Sequence, residues 1–221
     1  MIQKIIIICY NTVKLLIMKG EYRMDDYSAK LTGEPFLYNE TKIIAQYLLD
    51  GMPQDELRKK NINENLIKYK NKKSIVRVNS PIFKRLNVMD EEMLNAFVHE
   101  DIETSKYILL YTIMKTDRLV KDFIFEVYKD KLLMRKEYIE KFDIDNWYEE
   151  KCILSKTLRE RTESTSAKLK QVIMKILQDS GLVIKEKNKF KIVRPLLKEK
   201  YISMLDRKGD LEYAKAIGGL L

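Results

Sequence analysis

Apolar residues recur at intervals of three and four positions along most of this chain, which is the spacing of one buried helix face. After Asn39 this spacing predicts a helix that runs to about Asp50. Gly51 and Pro53 separate it from a second, shorter helix, because glycine favours the end of a helix and proline its first turn. The chain has 7 Gly and 4 Pro, and so few turn residues also favour long helices over many short strands.

A third helix is predicted to follow Ser74, whose hydroxyl is suited to cap its N-terminus. Its buried stripe comprises Ile75, Val78, Ile82 and Leu86. At the same spacing on its opposite side lie Arg77, Ser80 and Lys84. Pro81 leaves two alternatives open: a proline inside the helix would kink it at a cost of about 3 kcal/mol or more, or Ser80 is the cap and the helix begins at Pro81. The predicted order is thus a helix, a tight turn, a second helix and a basic amphipathic helix. This is the order of elements in a helix-turn-helix DNA-binding module.

The middle of the chain combines broad apolar faces with an excess of acidic residues. Successive helices are predicted to begin at Met89 or Asp90, at Asp101, and at Thr116 or Asp117, since Asp and Thr side chains cap helix N-termini. Apolar faces of this width are typical of the core of a helical bundle.

The C-terminal part has a different order of elements. Ser164 or Thr165 is the predicted cap of a helix that Gly181 closes. Two short apolar runs then flank a turn near Asn188, which predicts a β-hairpin, and Pro195 is predicted to begin a further helix. A helix pair followed by a basic hairpin is the layout of a winged helix.

Together these patterns predict a mainly α fold, a helical bundle in three parts with one short β-hairpin. The parts are an N-terminal helix-turn-helix-like basic module (residues 24–88), an acidic helical bundle core (residues 89–142) and a C-terminal winged-helix-like basic module (residues 143–221).

Residues 1–23 precede these modules and contain an apolar run that Lys14 interrupts. No small-residue cleavage site follows the run, and it is too short and too charged to span a membrane, so no membrane association is expected. Three interpretations of residues 1–23 remain open: a strand, a short amphipathic helix, and a leader upstream of Met24. We favour a leader or N-terminal extension, because the sequence from Met24 onward is typical of a natural N-terminus.

Basic residues are concentrated in two stretches. The 42 Lys and Arg exceed the 33 Asp and Glu, so the net charge is +9. Residues 58–85 carry ten Lys and Arg against one acid, Glu64, and residues 151–221 carry a second excess of the same size, whereas residues 86–150 are acidic. This alternation indicates either two surfaces for one polyanion or a basic face beside an acidic docking face. A solvated surface without a ligand is the plain alternative.

The two basic stretches hold side chains of the types that bind nucleic acid. Lys and Arg displace condensed counterions from phosphates, small polar residues such as Ser80 add hydrogen bonds, and Arg77 is suited to guanine in the major groove. The candidate nucleic-acid-binding residues are Lys68, Lys70, Lys72, Lys73, Arg77, Ser80, Lys84, Arg85, Lys168, Lys170, Gln171, Lys175, Lys187 and Lys189. Apart from Tyr69, neither stretch interleaves aromatic residues in the manner of a single-strand stacking surface, which favours double-stranded DNA.

Nothing in the sequence indicates catalysis or a bound cofactor. The chain lacks a phosphate-binding loop, a dinucleotide-binding fingerprint, a zincin helix and a nucleophile elbow. His99 is the only histidine, and Cys9 and Cys152 do not have the spacing of a zinc site, so no metal is expected. Two isolated thiols are typical of a reducing cytoplasm. We therefore expect a cytoplasmic protein that is not an enzyme.

Four short segments resemble one known protein family. They are YSAKLTGEPFL at residues 27–37, IMKTDRL at residues 113–119, STSAKLKQ at residues 164–171, and Gly209 with Asp210. In these segments the chain is similar to the BrxA family of bacteriophage exclusion (BREX) defence systems, and residues 1–23 lie outside the similarity. The resemblance implies a nearly all-helical cytoplasmic protein with helix-turn-helix character that binds double-stranded DNA. It also implies a methyltransferase, a phosphatase-like protein and ATPases as partners, and no catalytic residue.

Three functions remain open from the sequence. The favoured one is a non-enzymatic accessory protein of phage defence that binds double-stranded DNA. The second is an adaptor that assembles the defence complex through protein–protein contacts, and the third is an RNA-binding helical module. The oligomeric state is open as well, and a dimer would place two basic surfaces at a fixed spacing.

Overall fold

A computed structural model of the protein describes residues 27–218. Most of these residues are helical, and the sheet among them has three antiparallel strands, so the predicted mainly α fold with a short hairpin is confirmed. The predicted leader, residues 1–23, lies outside the described residues, as does Cys9. Within the described residues no helix is both long and apolar enough to cross a membrane.

The elements follow one another along the chain in three groups. The first group comprises a short 3-10 helix (Ala29–Gly33), α1 (Tyr38–Leu49), α2 (Gln54–Glu64) and α3 (Lys72–Leu86). The second comprises α4 (Glu91–His99), α5 (Ile102–Thr116), α6 (Arg118–Phe123), a π-helical turn (Ile124–Tyr128) and α7 (Lys129–Leu133). The third comprises β1 (Tyr138–Glu140), α8 (Lys141–Leu154), α9 (Lys156–Arg159), α10 (Glu163–Asp179), β2 (Val183–Glu186), β3 (Lys189–Ile192), α11 (Glu199–Arg207) and α12 (Leu211–Gly218).

Aspartates cap three helices in the middle of the chain, as the sequence predicts. Asp90, Asp101 and Asp117 each accept a hydrogen bond from the backbone N–H three residues later, at 2.9, 3.0 and 3.0 Å. Each carboxylate satisfies an N–H that has no partner inside its helix, and its negative charge suits the N-terminal end of the helix dipole. Local chemistry therefore determines where α4, α5 and α6 begin.

Two other predicted caps are wrong by two or three positions. The cap of α3 is Asn71, which accepts a backbone N–H at 2.8 Å, so Ser74 lies inside the helix. The cap of α10 is Thr162, and Ser164 and Thr165 lie in the first turn. In both cases a second cap-forming side chain precedes the predicted one, and the helix extends back to it.

Pro81 lies inside α3, so the helix continues through it and Ser80 is not a cap. Because proline has no amide hydrogen, the carbonyl of Arg77 lacks its donor within the helix. The proline ring is buried beside Ile82 and Phe83, and burial of this apolar surface offsets the lost hydrogen bond.

The sheet has the strand order β1-β3-β2. β2 and β3 form the predicted hairpin around a two-residue turn, Lys187 and Asn188, and Lys187 adopts a φ of +48° there. β1 is paired with the other edge of β3, with Glu140 opposite Lys189. β1 was not predicted, because three residues are too few to show an alternating pattern.

α5 is the central helix of the core. Its residues 107–114 are buried without interruption, and a helix that is apolar on all sides has to be surrounded by other elements. α3, α4 and α6 pack around it, and the hydroxyl of Tyr201 in α11 donates to the carbonyl of Tyr107 at 3.3 Å. Buried residues from all three predicted modules belong to this one hydrophobic core, and the division of the chain into those modules stays a prediction.

Ion pairs join α11 and the residues next to it to α4 and α5. The ammonium group of Lys198 lies 2.6 Å from the carboxylate of Asp101, and that of Lys200 lies 2.6 Å from Glu100. Further pairs are Arg207 with Glu92 and Lys208 with Asp90. With Lys198 held in this way, α11 begins four residues after Pro195, its predicted start. Acids of the middle segment and cations of the C-terminal segment therefore partly neutralise each other within the fold.

This network makes the stability depend on pH. Hydrogen bonds from Lys198 and from the Thr104 N–H lower the pKa of Asp101. A lowered folded-state pKa contributes stability that is present above the ordinary carboxyl pKa of about 4 and is lost as the pH falls through the folded-state pKa. We therefore expect Lys198→Met to destabilise the protein at neutral pH, and the difference from the wild type to shrink as the pH falls below about 4.

Urea unfolding over a series of pH values measures this difference in the free energy of unfolding. Lys156→Met is the matched control, because Lys156 and Glu160 form an exposed pair within one helical turn, 3.7 Å apart and outside the network. A destabilisation by Lys198→Met that stays constant from neutral to strongly acidic pH would contradict the proposed role of these carboxylates.

Candidate nucleic-acid interface

A groove with a volume of about 1070 Å³ runs between the N-terminal and C-terminal groups of elements. The 3-10 helix packs against α10 at this place. Residues 27–37 and 164–171, two of the segments that resemble the BrxA family, both contribute side chains to the lining of the groove. The side chains that line the groove and belong to the predicted set are Arg77, Lys168, Lys170, Gln171 and Lys175.

α10 presents one polar face to the groove and one apolar face to the core. Lys168, Gln171 and Lys175 recur at spacings of three and four and are exposed, whereas the predicted stripe from Leu169 to Leu177 is buried. Lys175 pairs with Asp179 at 2.8 Å, within one turn of the same helix. Among the described residues, Lys168 has no ion-pair partner, which leaves its charge available to a ligand.

Lys170 differs from its neighbours on α10. It is half-buried, forms an ion pair with Asp145, and its ammonium group lies 5.5 Å from the centre of the Tyr148 ring. Lys170 therefore joins α10 to α8, and it lines the groove without a free charge.

α3 contributes a row of exposed polar residues. Lys73, Arg77, Ser80 and Lys84 are exposed at spacings of four, three and four, which agrees with the predicted polar face. Arg77 reaches the groove, whereas Lys84 lies 3.8 Å from Glu34. α3 thus places one arginine opposite the cationic face of α10.

The loop before α3 carries Lys68 and Lys70 on its surface. Asn65 fixes the loop, since its amide exchanges two hydrogen bonds of 2.7 Å with the backbone of Tyr69. The hydroxyl of Tyr69 donates to Glu40 at 2.8 Å, and burial and this carboxylate raise the pKa of Tyr69 to about 12. Tyr69 is therefore engaged inside the fold, and Phe83, the other aromatic residue of the first basic stretch, is buried. Lys72 follows on the exposed side of the first turn of α3.

Arg85 is a correction to the predicted site. Its side chain is only 2% exposed, and its guanidinium donates to the carbonyls of Phe36 at 2.8 Å and Glu34 at 3.1 Å. Burial lowers the pKa of Arg85 to about 10, which still leaves it charged at neutral pH. The sequence held the signal: Arg85 lies three residues after Ile82, on the buried stripe of α3. Arg85 is a structural residue.

The hairpin adds lysines at one end of the groove. Lys187 is exposed in the turn, and Lys189 is half-buried, with its ammonium group 3.4 Å from the centre of the Tyr138 ring. Lys185 and Lys141 also line the groove, although neither was among the predicted site residues. Lys141 directly follows β1, and its position depends on a strand pairing that the sequence pattern does not reveal.

The geometry offers no metal centre among residues 27–218, where no group of three or more His, Cys, Asp or Glu side chains is arranged to hold an ion. His99 is exposed, and its Nδ1 lies 3.1 Å from the carbonyl of Asn95 in the same helix. Burial raises the pKa of the Cys152 thiol, so its reactive thiolate form is disfavoured.

Comparison with known proteins finds relatives that carry the same protein name. Residues 25–209 match the family described as BrxA. The chain is 31% identical over 193 residues to the BREX protein BrxA of Bacillus cereus, covering 87% of this chain and 96% of the relative. It is 24% identical over 156 residues to the BREX protein BrxA of Escherichia coli, covering 69% and 72% of the two chains.

A solved structure has the same fold. The crystal structure of an uncharacterized protein from Magnetospirillum magneticum is similar with a TM-score of 0.70, covering 87% of this chain and 98% of that chain. The sequence identity of 21% limits this likeness to the fold.

The buried position of Arg85 predicts a large effect on stability. Arg85→Met keeps most of the side-chain volume but leaves the carbonyls of Glu34 and Phe36 without their donor, so we expect the free energy of unfolding to fall by about 3 kcal/mol. Lys84→Met is the control, because Lys84 is exposed and its ammonium group lies 3.8 Å from Glu34, a pair that should contribute about 1 kcal/mol. Urea denaturation measures both, and equal effects of the two substitutions would show that Arg85 does not hold the fold together.

Proposed function

The chain belongs to the BrxA family of BREX phage-defence systems, and from this premise we propose that it is a non-enzymatic protein that binds double-stranded DNA. One observation carries the proposal. The exposed face of α10, with Lys168 and Gln171, lines the same groove as Arg77 of α3 and Lys185 of the hairpin. Cations from three separate elements thus converge on one surface, as a phosphate backbone requires.

The order of elements around α10 supports this proposal. This part of the chain runs in the order β1, α8, α9, α10, β2 and β3, and β1 pairs with β3 beside the hairpin. We interpret this part of the fold as a winged helix, with α10 as the helix that enters the major groove and the hairpin as the wing. The major groove is about 12 Å wide and admits one α-helix. Gln171 would then face base edges, where a glutamine pairs with adenine.

Several features favour a duplex over a single strand. A single-strand surface needs exposed aromatic residues along a basic groove so that successive bases stack on them. The first basic stretch has two aromatic residues: Tyr69 is hydrogen-bonded to Glu40 and partly buried, and Phe83 is buried. The row of Lys73, Arg77 and Ser80 on α3 instead extends the cationic surface away from the groove. Such a row is suited to the phosphates that flank a bound duplex.

Membership of a BREX system makes other BREX proteins the expected partners. We propose a methyltransferase, a phosphatase-like protein and ATPases as these partners, and the cytoplasm as the location, since the DNA is there. An adaptor function is the second candidate, and one observation favours it: Leu133 and Met134 are neighbouring apolar side chains, 47% and 68% exposed. Adjacent exposed apolar residues are typical of a surface for another protein.

Charge reversal in the groove tests the proposed function. Arg77→Glu combined with Lys168→Glu should lower the affinity for a short duplex by about 100-fold at low salt, because two phosphate contacts become repulsive. The slope of log affinity against log salt should also become shallower by about two. Fluorescence anisotropy over a series of salt concentrations measures both quantities.

Lys156→Glu combined with Lys215→Glu is the matched control, since both lysines are exposed, lie outside the groove and change the net charge equally. The control should bind nearly as tightly as the wild type. Equal losses in the two double variants would mean that overall charge, and no particular surface, governs binding. Complete displacement of the duplex by an RNA hairpin would identify RNA as the ligand, and no duplex binding at low salt would overturn the proposal.

A further inference from the structure

Phe142 is an exposed aromatic residue in the first turn of α8. Its side chain is 75% exposed, whereas Ile144, Trp147 and Tyr148 of the same helix are buried. Single exposed apolar residues are common on protein surfaces, so exposure alone indicates nothing. The residues that surround Phe142 indicate a specific role for it.

Phe142 lies beside the turn of the hairpin. Glu140, the last residue of β1, is paired with Lys189, the first residue of β3, so the chain leaves the sheet next to Lys187 and Asn188. Between α8 and this turn lies a depression with a volume of about 830 Å³. The residues that line it are Glu140, Lys141, Phe142, Glu186, Lys187, Asn188 and Lys189.

Lysines dominate the free charge of this depression. Lys141 and Lys187 are exposed and have no ion-pair partner among the described residues. The carboxylate of Glu140 accepts a backbone N–H in the capping box of α8, and that of Glu186 faces the hydroxyl of Tyr138. Both acids have hydrogen-bond partners within the fold, and the three lysines outnumber them, so the depression has a net positive charge suited to an anion.

The depression adjoins the groove described above, because Lys141 lines both. Phe142 therefore lies at the hairpin end of the proposed DNA surface. A protein partner would need apolar neighbours that exclude water around the aromatic ring. Among the residues that line the depression, Phe142 is the single apolar one, and its neighbours carry charges suited to phosphates.

We propose that Phe142 and the hairpin turn act as a wedge that inserts at an unstacked base step of the bound duplex. The ligand would then be DNA that is kinked or locally unpaired at this point, with Lys141 and Lys187 on the flanking phosphates. Apolar side chains inserted between base steps kink the duplex in this way, at an unstacking cost that extra protein contacts offset. This inference rests on the proposed function, since it requires that the groove holds DNA.

The test uses the full-length protein and two duplexes of one sequence, one fully paired and one with a central pair of mismatches beside a 2-aminopurine. The wild type should bind the mismatched duplex about tenfold more tightly, which corresponds to ~1.4 kcal/mol, since part of the unstacking cost is already met. Binding should also raise the 2-aminopurine fluorescence, because the base loses its stacking neighbour.

Phe142→Ala should abolish the preference and the fluorescence rise, yet bind the fully paired duplex within about twofold of the wild type, since phosphate contacts dominate that affinity. Phe142→Trp should retain both signals. Leu196→Ala is the matched control: Leu196 is 91% exposed and follows the opposite end of β3, so its removal should change neither signal.

Three outcomes are decisive. A Phe142→Ala variant with an unchanged mismatch preference and an unchanged fluorescence rise overturns the wedge, while the proposed DNA binding stands. A variant with unchanged DNA behaviour that no longer co-purifies with another BREX protein also overturns it and assigns Phe142 to protein docking. A wild type that binds neither duplex at low salt overturns the proposed function itself, which distinguishes the two failures.

Discussion

The buried guanidinium of Arg85 is the interaction on which the shape of the groove depends. It holds the carbonyls of Glu34 and Phe36, and thereby ties the segment after the 3-10 helix to α3. The 3-10 helix in turn packs on α10, so α3 and α10 are placed on either side of one groove. A buried charge with fixed hydrogen bonds is costly to displace, so these bonds help to fix the position of α3 relative to the 3-10 helix. The residue that the sequence offers as a ligand contact therefore acts by positioning the ones that remain exposed.

The fold determines which of the charges that make up the +9 net charge are paired with one another and which are not. Cations around α11 are paired with acids of α4 and α5, as in Lys198 with Asp101. These pairs neutralise part of the acidic charge in the middle of the chain. Among residues 27–218, Arg77, Lys168 and Lys187 have no ion-pair partner, and they line the groove or lie at its hairpin end. The groove thus brings together cations that the sequence places in two distant stretches.

Local signals predicted much of the fold, and long-range packing decided the rest. The Asp117 cap, the buried stripe of α10 and the hairpin around Asn188 follow from neighbouring residues, and the structure confirms them. β1 exists only through its pairing with β3, and the groove only through the packing of the 3-10 helix on α10, so neither was predictable from local pattern. Arg85 lies on the buried stripe of α3, so its position in the helix and not its charge determines that it is a structural residue. Lys168, Gln171 and Lys175 of the predicted α10 face are exposed, as helical periodicity requires, whereas Lys170 is half-buried.

Photo-crosslinking from the groove tests the central claim most directly. A photoreactive amino acid at Gln171, on the exposed face of α10, is irradiated with a short duplex, and mass spectrometry identifies the attached nucleotides. The same group at Ile102, 63% exposed at the start of α5, reports on a surface outside the groove. The account predicts a duplex crosslink from position 171 that high salt suppresses, and none from position 102. A crosslink from position 102 alone, or from neither position, would contradict the claim that α3 and α10 form a DNA-binding groove.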